Sequence, residues 1–153
     1  MSSSSRLLAT LLCLLLGSEA GATCTVSATG VSFGVYDVFV SAPLDSTGTV
    51  TVTCDQAPPV DVIIAIGPSG TSGGFVPRQM RSASSPDRLN YNLFTNAGRS
   101  TVWGDGALGT STVFLKNVKK NRPEVTTIYG RVPPEQNVSV GAYADALTVT
   151  ITP

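Results

Sequence analysis

A period-two alternation of apolar and polar residues is the feature that most constrains how this chain can fold. In residues 145–153, DALTVTITP, the side chains of Leu147, Val149 and Ile151 fall on one face and three threonines fall on the other. This pattern is typical of a half-buried β-strand, because successive side chains of a strand point to opposite faces. From residue 23 onward the sequence shows no helical periodicity of useful length. The sequence therefore predicts an all-β chain.

Short segments of the same kind recur between the glycine, proline, asparagine and aspartate residues that mark turns. They are residues 47–54, 60–67, 88–94, 111–118 and 126–132. Short strands at this spacing favour an antiparallel β-sandwich over a barrel. With 153 residues, the chain has room for one domain with a hydrophobic core, and we predict a single domain.

The first 22 residues, MSSSSRLLATLLCLLLGSEAGA, have the features of a secretory signal peptide. Arg6 precedes an apolar run at residues 7–16, and the small residues 20–22 form a cleavage site. A membrane span needs about 20 apolar residues, and this run is roughly half that length, so we expect no stable membrane insertion. We predict a signal peptide at residues 1–22, a mature domain at residues 23–153, and secretion.

Cleavage after residue 22 would leave two of the three cysteines, Cys24 and Cys54. In an oxidising compartment an isolated pair is most simply a disulfide, whereas two free thiols would suit a cytosolic chain. A disulfide that closes a loop of about 30 residues would contribute roughly 3 to 4 kcal/mol to the free energy of unfolding.

The composition argues against an enzyme. Histidine is absent, which removes the commonest general base and the commonest metal ligand. The acidic residues are scattered singly along the chain and not paired as a glycosidase requires. Ten basic and ten acidic residues balance, and only 13% of residues are charged, so we expect no electrostatic capture of nucleic acid. We predict no catalytic residues, no metal site and no cofactor.

Two polar motifs have a structural interpretation. In TVWGDG, residues 101–106, Asp105 and the glycine after it indicate a turn in which glycine takes the positive φ. Trp103 beside it is interpreted as core or rim packing in preference to a platform for ligand stacking. The cationic stretch KNVKKNR, residues 116–122, is interpreted as a solvated hairpin loop that protects a sheet edge, in preference to a polyanion site.

Three stretches together resemble a known family. They are CTVSATGVSFGVYD at residues 24–37, LNYNLFTNAGRSTVWGDG at residues 89–106, and YGRVPPEQNVSVGAYADALTVTI at residues 129–151. This set is similar to the spore coat protein U domain family, which includes subunits of archaic (Csu-type) chaperone-usher pili. The resemblance covers essentially the whole mature chain in the expected order.

The resemblance implies an incomplete immunoglobulin-like antiparallel β-sandwich that lacks its final strand. It implies a non-enzymatic subunit of a pilus, fimbria or coat whose acceptor groove receives a donor strand. The implied partners are a periplasmic chaperone, an usher and a neighbouring pilus subunit, and the implied route leads through the periplasm to the cell surface. The expected groove residues are Val26, Tyr143, Leu147, Val149 and Ile151.

One departure from the family pattern concerns the donor segment. Polymerising members carry alternating apolar residues before the first cysteine, whereas here only Thr23 lies between the expected cleavage site and Cys24. We therefore expect an acceptor-only subunit at the end of a fibre. Two alternatives stay open: a coat or matrix protein that completes its own sandwich with residues 31–44, and a carbohydrate-binding module or hydrolase that contacts sugar through Trp103 and Tyr129.

Overall fold

The computed structural model describes residues 23–153, so the expected signal peptide at residues 1–22 lies outside the described residues. Every regular element in the described part is a β-strand. The strands are β1 (Cys24–Thr29), β2 (Leu44–Cys54), β3 (Val60–Ile66), β4 (Arg78–Ser82), β5 (Arg88–Phe94), β6 (Val113–Val118), β7 (Glu124–Val132), β8 (Tyr143–Ala144) and β9 (Val149–Thr152). Within the same residues, no helix is long and apolar enough to cross a membrane.

The strands form two sheets. The larger has the order β1-β2-β7-β5-β4-β8, the smaller has the order β6-β3-β9, and all neighbouring strands within them are antiparallel. Side chains of both sheets belong to one hydrophobic core. The expected all-β antiparallel sandwich is therefore confirmed, and each of the five segments predicted as strands overlaps one strand along most of its length.

The core follows from the alternation seen in the sequence. Val50 and Val52 of β2 have no exposed surface, and neither do Val62 and Ile64 of β3, whereas the residues between them are partly or fully exposed. Trp103 is also completely buried, and its indole Nε1 donates a hydrogen bond to the Ile64 carbonyl at 3.1 Å. Packing of Trp103 in the core is confirmed, and a sugar-stacking role for this side chain is wrong because no face of it is accessible.

A buried arginine from β4 crosses this core. Arg78 has no exposed surface, and its Nη2 donates to the carbonyl oxygens of Gly67 at 2.9 Å and Trp103 at 2.7 Å, and more weakly to that of Ile66 at 3.3 Å. Its Nη1 donates to Asn92 Oδ1 at 2.8 Å. Burial lowers the pKa of the guanidinium, since desolvation disfavours the charge. The carbonyl oxygens around the group compensate for that cost and fix the end of β3.

A disulfide joins β1 to β2. Cys24 and Cys54 face each other in the antiparallel register, and their Cα atoms are 4.0 Å apart. Close approach of the two Cα atoms is a feature of directly opposed residues in an antiparallel pair. The predicted disulfide is confirmed.

The two polar motifs have different outcomes. Gly106 has a φ of 88°, and the amide of Ala107 donates to Asp105 Oδ1 at 2.9 Å, so the predicted turn is confirmed. The cationic stretch is not a hairpin, because β6 lies in the smaller sheet and β7 in the larger. Its connecting loop passes from one sheet to the other and is held by a hydrogen bond from the Asn121 amide to the Cys54 carbonyl at 2.8 Å.

Candidate binding cleft

A cleft of about 1070 Å³ opens between the two sheets. Its floor is apolar and comes from both of them: Ile66 of the smaller sheet, and Met80, Leu89, Tyr91, Leu93, Ile128 and Val132 of the larger. One wall consists of residues 28–39, and the other consists of residues 138–149. The floor residues other than Met80 are buried, so the side chains that the cleft leaves exposed belong mainly to its walls, such as Val35 and Val140.

The wall at residues 138–149 leads into a free sheet edge. Within residues 23–153, β9 pairs with β3 and with no other strand. The amide of Gly67 donates to the Thr148 carbonyl at 2.8 Å, so the backbone groups of Thr148 face β3. Because the backbone groups of successive residues point to opposite sides of a strand, those of Val149 and Ile151 face away from β3. The same alternation applies to Leu147.

The inner face of β1 is uncovered. Val26 is opposite Val52, and Ala28 is opposite Val50, so all four side chains share the face of the sheet that contacts the core. Val50 and Val52 are completely buried, whereas Val26 is 36% exposed and Ala28 is exposed as well. β9 of the smaller sheet lies near β1 but leaves the inner side chains of Val26 and Ala28 exposed.

The segment after β1 crosses the inner face of the larger sheet at two glycines. A Cβ atom at Gly130 would lie 2.7 Å from Val31 Cγ1 and 2.8 Å from Phe33 Cζ, and one at Gly48 would lie 2.6 Å from the Thr29 carbonyl oxygen. Any larger residue at either position would push this segment away. Glycine here therefore allows residues 30–33 to lie in the cleft.

Two aromatic side chains hold this segment in place. Phe33 packs edge-on against Tyr91, with ring centroids 6.0 Å apart. The Tyr36 hydroxyl donates to the Pro133 carbonyl at 3.0 Å and accepts from the Gln136 amide at 2.9 Å. Residues 30–36 are thus fastened to the loop after β7 and form one fixed wall of the cleft.

A carboxylate positions the opposite wall. Asp145 accepts a hydrogen bond from the Tyr91 hydroxyl at 2.7 Å and another from the Thr71 amide at 3.0 Å. Burial raises the pKa of the Tyr91 hydroxyl, and the bond to Asp145 raises it further, so the phenol stays neutral and donates. The Gly70 amide also donates to the Ala146 carbonyl at 3.3 Å. These contacts hold residues 145–148 in line with β9.

The two strands beside the cleft lack the usual protection of a sheet edge. Residues 24–29 and 146–153 contain no charged side chain. The edge strand β6 of the smaller sheet differs, because it carries an exposed Lys116 and its pairing with β3 is irregular between Val60 and Val62. Charges and bulges on an edge discourage pairing with further strands, and β1 and β9 have neither.

Of the five residues that the resemblance implies for the acceptor groove, three line the cleft and two lie outside its lining. Tyr143, Leu147 and Val149 line the cleft. Val26 lies outside that lining on the uncovered face of β1, and Ile151 is half-buried on β9.

The resemblance did not place residues 31–39 or Asp145 at the groove, whereas the self-completed alternative used residues 31–44. Val31 and Phe33 alternate with small residues, as in an extended segment that packs one face on the core. In the described chain, no group of three or more metal-ligating side chains comes together.

Comparison with known proteins assigns the family. The family model of the Spore Coat Protein U domain matches residues 10–150. The chain belongs to the Spore Coat Protein U domain family. A curated relative of this Spore Coat Protein U domain is Protein U of Myxococcus xanthus, which is 35% identical over 130 residues, covering 80% of this chain and 70% of the relative.

Solved structures similar to this Spore Coat Protein U domain come from pilus systems. One is the chaperone-tip adhesion subunit pre-assembly complex CsuC-CsuE from archaic chaperone-usher Csu pili of Acinetobacter baumannii, with a TM-score of 0.59 and 18% identity. The match covers 85% of this chain and 39% of that one. The Hda pilus minor tip subunit HdaB of E. coli has a TM-score of 0.42 at 18% identity, over 83% of this chain and 79% of its own. The likeness to the Acinetobacter structure agrees with an immunoglobulin-like fold.

Proposed function

We propose that this Spore Coat Protein U domain is a structural subunit of a cell-surface pilus, fimbria or coat, and that its cleft accepts an extended strand from a partner. One observation carries the proposal: in the described chain β9 has an unpaired edge, and the inner face of β1 near it is exposed. The expected acceptor residues Val26, Tyr143, Leu147, Val149 and Ile151 lie along this opening or beside it.

The physical reason is the cost of leaving the cleft empty. Backbone groups of Leu147, Val149 and Ile151 that face the free edge have no strand partner in the described chain. A strand with alternating apolar residues would pair with them and bury exposed apolar side chains beside the edge, such as Val26. Strand addition of this kind combines main-chain hydrogen bonds with side-chain pockets, and chaperone-pilin complexes are a known example of it.

The proposed partners follow from the family and from the related structure. A periplasmic chaperone would occupy the cleft first, and a neighbouring subunit would replace it after delivery to an usher. The similar Acinetobacter complex contains a chaperone and a tip adhesion subunit, which supports this order. The protein would then pass through the periplasm to the cell surface.

We further propose that the subunit accepts a strand and donates none, which would place it at the tip of a fibre. This role rests on cleavage after residue 22, because Thr23 would then be the sole residue ahead of Cys24. The intact mass of the exported protein checks this cleavage site.

A second candidate is a coat or matrix protein that completes its own sandwich. It is favoured by the packing of Val31, Phe33 and Tyr36 against the core, since the segment at residues 31–44 already covers part of the cleft. A protein that completes its own sandwich would not need a partner strand to fold.

A donor peptide separates the two candidates. We expect a synthetic peptide in which isoleucine alternates with serine to raise the melting temperature, because a ligand at 100 times its Kd stabilises the folded state by about 2.7 kcal/mol. Fluorescence of Trp103, the single tryptophan, follows the melt.

Two matched variants locate the effect of the peptide. Val149→Asp should abolish the temperature shift, because the charge would lie in the cleft. Val125→Asp should retain the shift, because Val125 is 63% exposed and lies outside the cleft lining. A mature chain that is monomeric, folds cooperatively alone and does not respond to the peptide would support the self-completed candidate and exclude strand acceptance.

A further inference from the structure

The charged side chains that line the cleft are all acidic. Asp37 and Asp145 are the charged residues that line it, and neither lysine nor arginine lines it in the described chain. Asp145 is already satisfied by the Tyr91 hydroxyl and the Thr71 amide, and the buried Arg78 lies within electrostatic reach of it. Asp37 accepts one backbone hydrogen bond but has no basic partner within 4.0 Å among residues 23–153.

Asp37 lies at the exposed rim, two residues before an accessible phenylalanine. Its Oδ1 accepts a hydrogen bond from the Phe39 amide at 2.9 Å, and its carbonyl accepts one from the Val40 amide at 3.3 Å. This tight turn brings the backbone of Phe39 to the carboxylate, and 93% of the surface of Phe39 is exposed. No basic group lies within 4.0 Å of Asp37 among residues 23–153.

An exposed carboxylate and an exposed phenylalanine in the same turn favour a basic side chain on the partner strand. A guanidinium or ammonium group pairs with the carboxylate and is attracted to the face of the ring. The aliphatic stem of arginine or lysine can lie on neighbouring apolar surface, which Val35 supplies because it is 90% exposed on the same wall. An acidic side chain on the partner strand would be repelled by Asp37, because a cleft lined by charges of one sign focuses the electrostatic field.

We infer that the strand entering this cleft is basic as well as apolar, with an arginine or lysine where it crosses the rim at Asp37 and Phe39. The inference rests on the proposed function and adds the chemistry by which the groove selects its donor. Alternating apolar residues would provide most of the affinity. The cation would set the preference among donors of equal apolar content.

Six synthetic peptides test this preference. They share one alternating isoleucine and serine core, and each carries arginine, glutamine or glutamate at either its amino or its carboxyl end. We expect the arginine peptide, at the end that meets Asp37, to bind about fivefold to tenfold more tightly than the glutamate peptide at low salt, with glutamine between them. Higher salt should reduce the difference.

Three variants test whether Asp37 and Phe39 cause the difference in affinity between the arginine and glutamate peptides. Asp37→Asn retains an oxygen that accepts from the Phe39 amide and should remove most of the difference, and Phe39→Leu should reduce it. Asp105→Asn is the matched control, since Asp105 is exposed and lies outside the cleft lining, and it should leave the difference unchanged.

The outcomes distinguish this inference from the proposed function. Equal binding of the arginine, glutamine and glutamate peptides, at both ends, would overturn the inference and leave strand acceptance intact. Failure of every peptide to bind would overturn strand acceptance itself. An arginine preference that persists in both Asp37→Asn and Phe39→Leu would overturn the assignment of the cation to this rim.

Discussion

Replacing Arg78 with leucine is expected to lower the free energy of unfolding by about 4 kcal/mol. Leucine fills part of the space but donates no hydrogen bond, so the buried carbonyls of Gly67 and Trp103 would lose their strongest side-chain donor, and Asn92 would lose its bond as well. Each buried polar group left unsatisfied costs about 1 to 3 kcal/mol. Urea unfolding followed by Trp103 fluorescence measures the loss.

Two further variants make the Arg78 test specific. Arg78→Lys keeps the charge and should recover part of the stability, because one ammonium group cannot reach all the acceptors that the planar guanidinium reaches. Arg122→Leu is the control, since Arg122 is exposed in the loop between the sheets, and it should change the free energy of unfolding by less than about 0.5 kcal/mol. A loss below about 1 kcal/mol in Arg78→Leu would show that these hydrogen bonds contribute little.

Removing the disulfide is expected to cost about 3 to 4 kcal/mol, because a loop of 30 residues gains freedom in the unfolded state. β1 depends strongly on this bond. It pairs with β2 alone, and its inner face lacks a covering strand. The double variant Cys24→Ala, Cys54→Ala, compared with the oxidised parent in urea, measures the loss.

Reduction provides the control for the disulfide. Dithiothreitol should destabilise the parent by a similar amount and should leave the double variant unchanged. A double variant as stable as the oxidised parent would contradict this role of the bond.

The strands that the sequence predicted are those in which one face is apolar. The segment at residues 88–94 coincides with β5, because Leu89, Tyr91 and Leu93 alternate with asparagine and are all buried. β4 was missed because its buried residues, Arg78 and Ser82, are polar. Hydrophobic periodicity cannot detect a strand whose contribution to the core is a guanidinium.

One wall of the cleft could be predicted from the sequence, because alternation of apolar and polar residues marks it. Leu147 and Val149 stand out by alternation, and they line the opening. The opposite wall at residues 30–39 depends on a long-range fit between Val31, Phe33 and the glycine at position 130, which lies about one hundred residues further along the chain. Local alternation marks Val31 and Phe33 as apolar, but it does not show which glycine they pack against. The uncovered face of β1 likewise became evident only when its register with β2 was known.

Amide hydrogen exchange, read residue by residue by NMR with and without the donor peptide, tests strand acceptance most directly. Without peptide, the amides of Leu147, Val149 and Ile151 should exchange fast, because they face the free edge, whereas the amide of Thr150 should be slow because it faces β3. With peptide, the three edge amides should slow by at least about tenfold, and Thr150 should stay slow. Edge amides that are already protected in the free monomer, or that do not change when the peptide binds, would contradict strand acceptance at this edge.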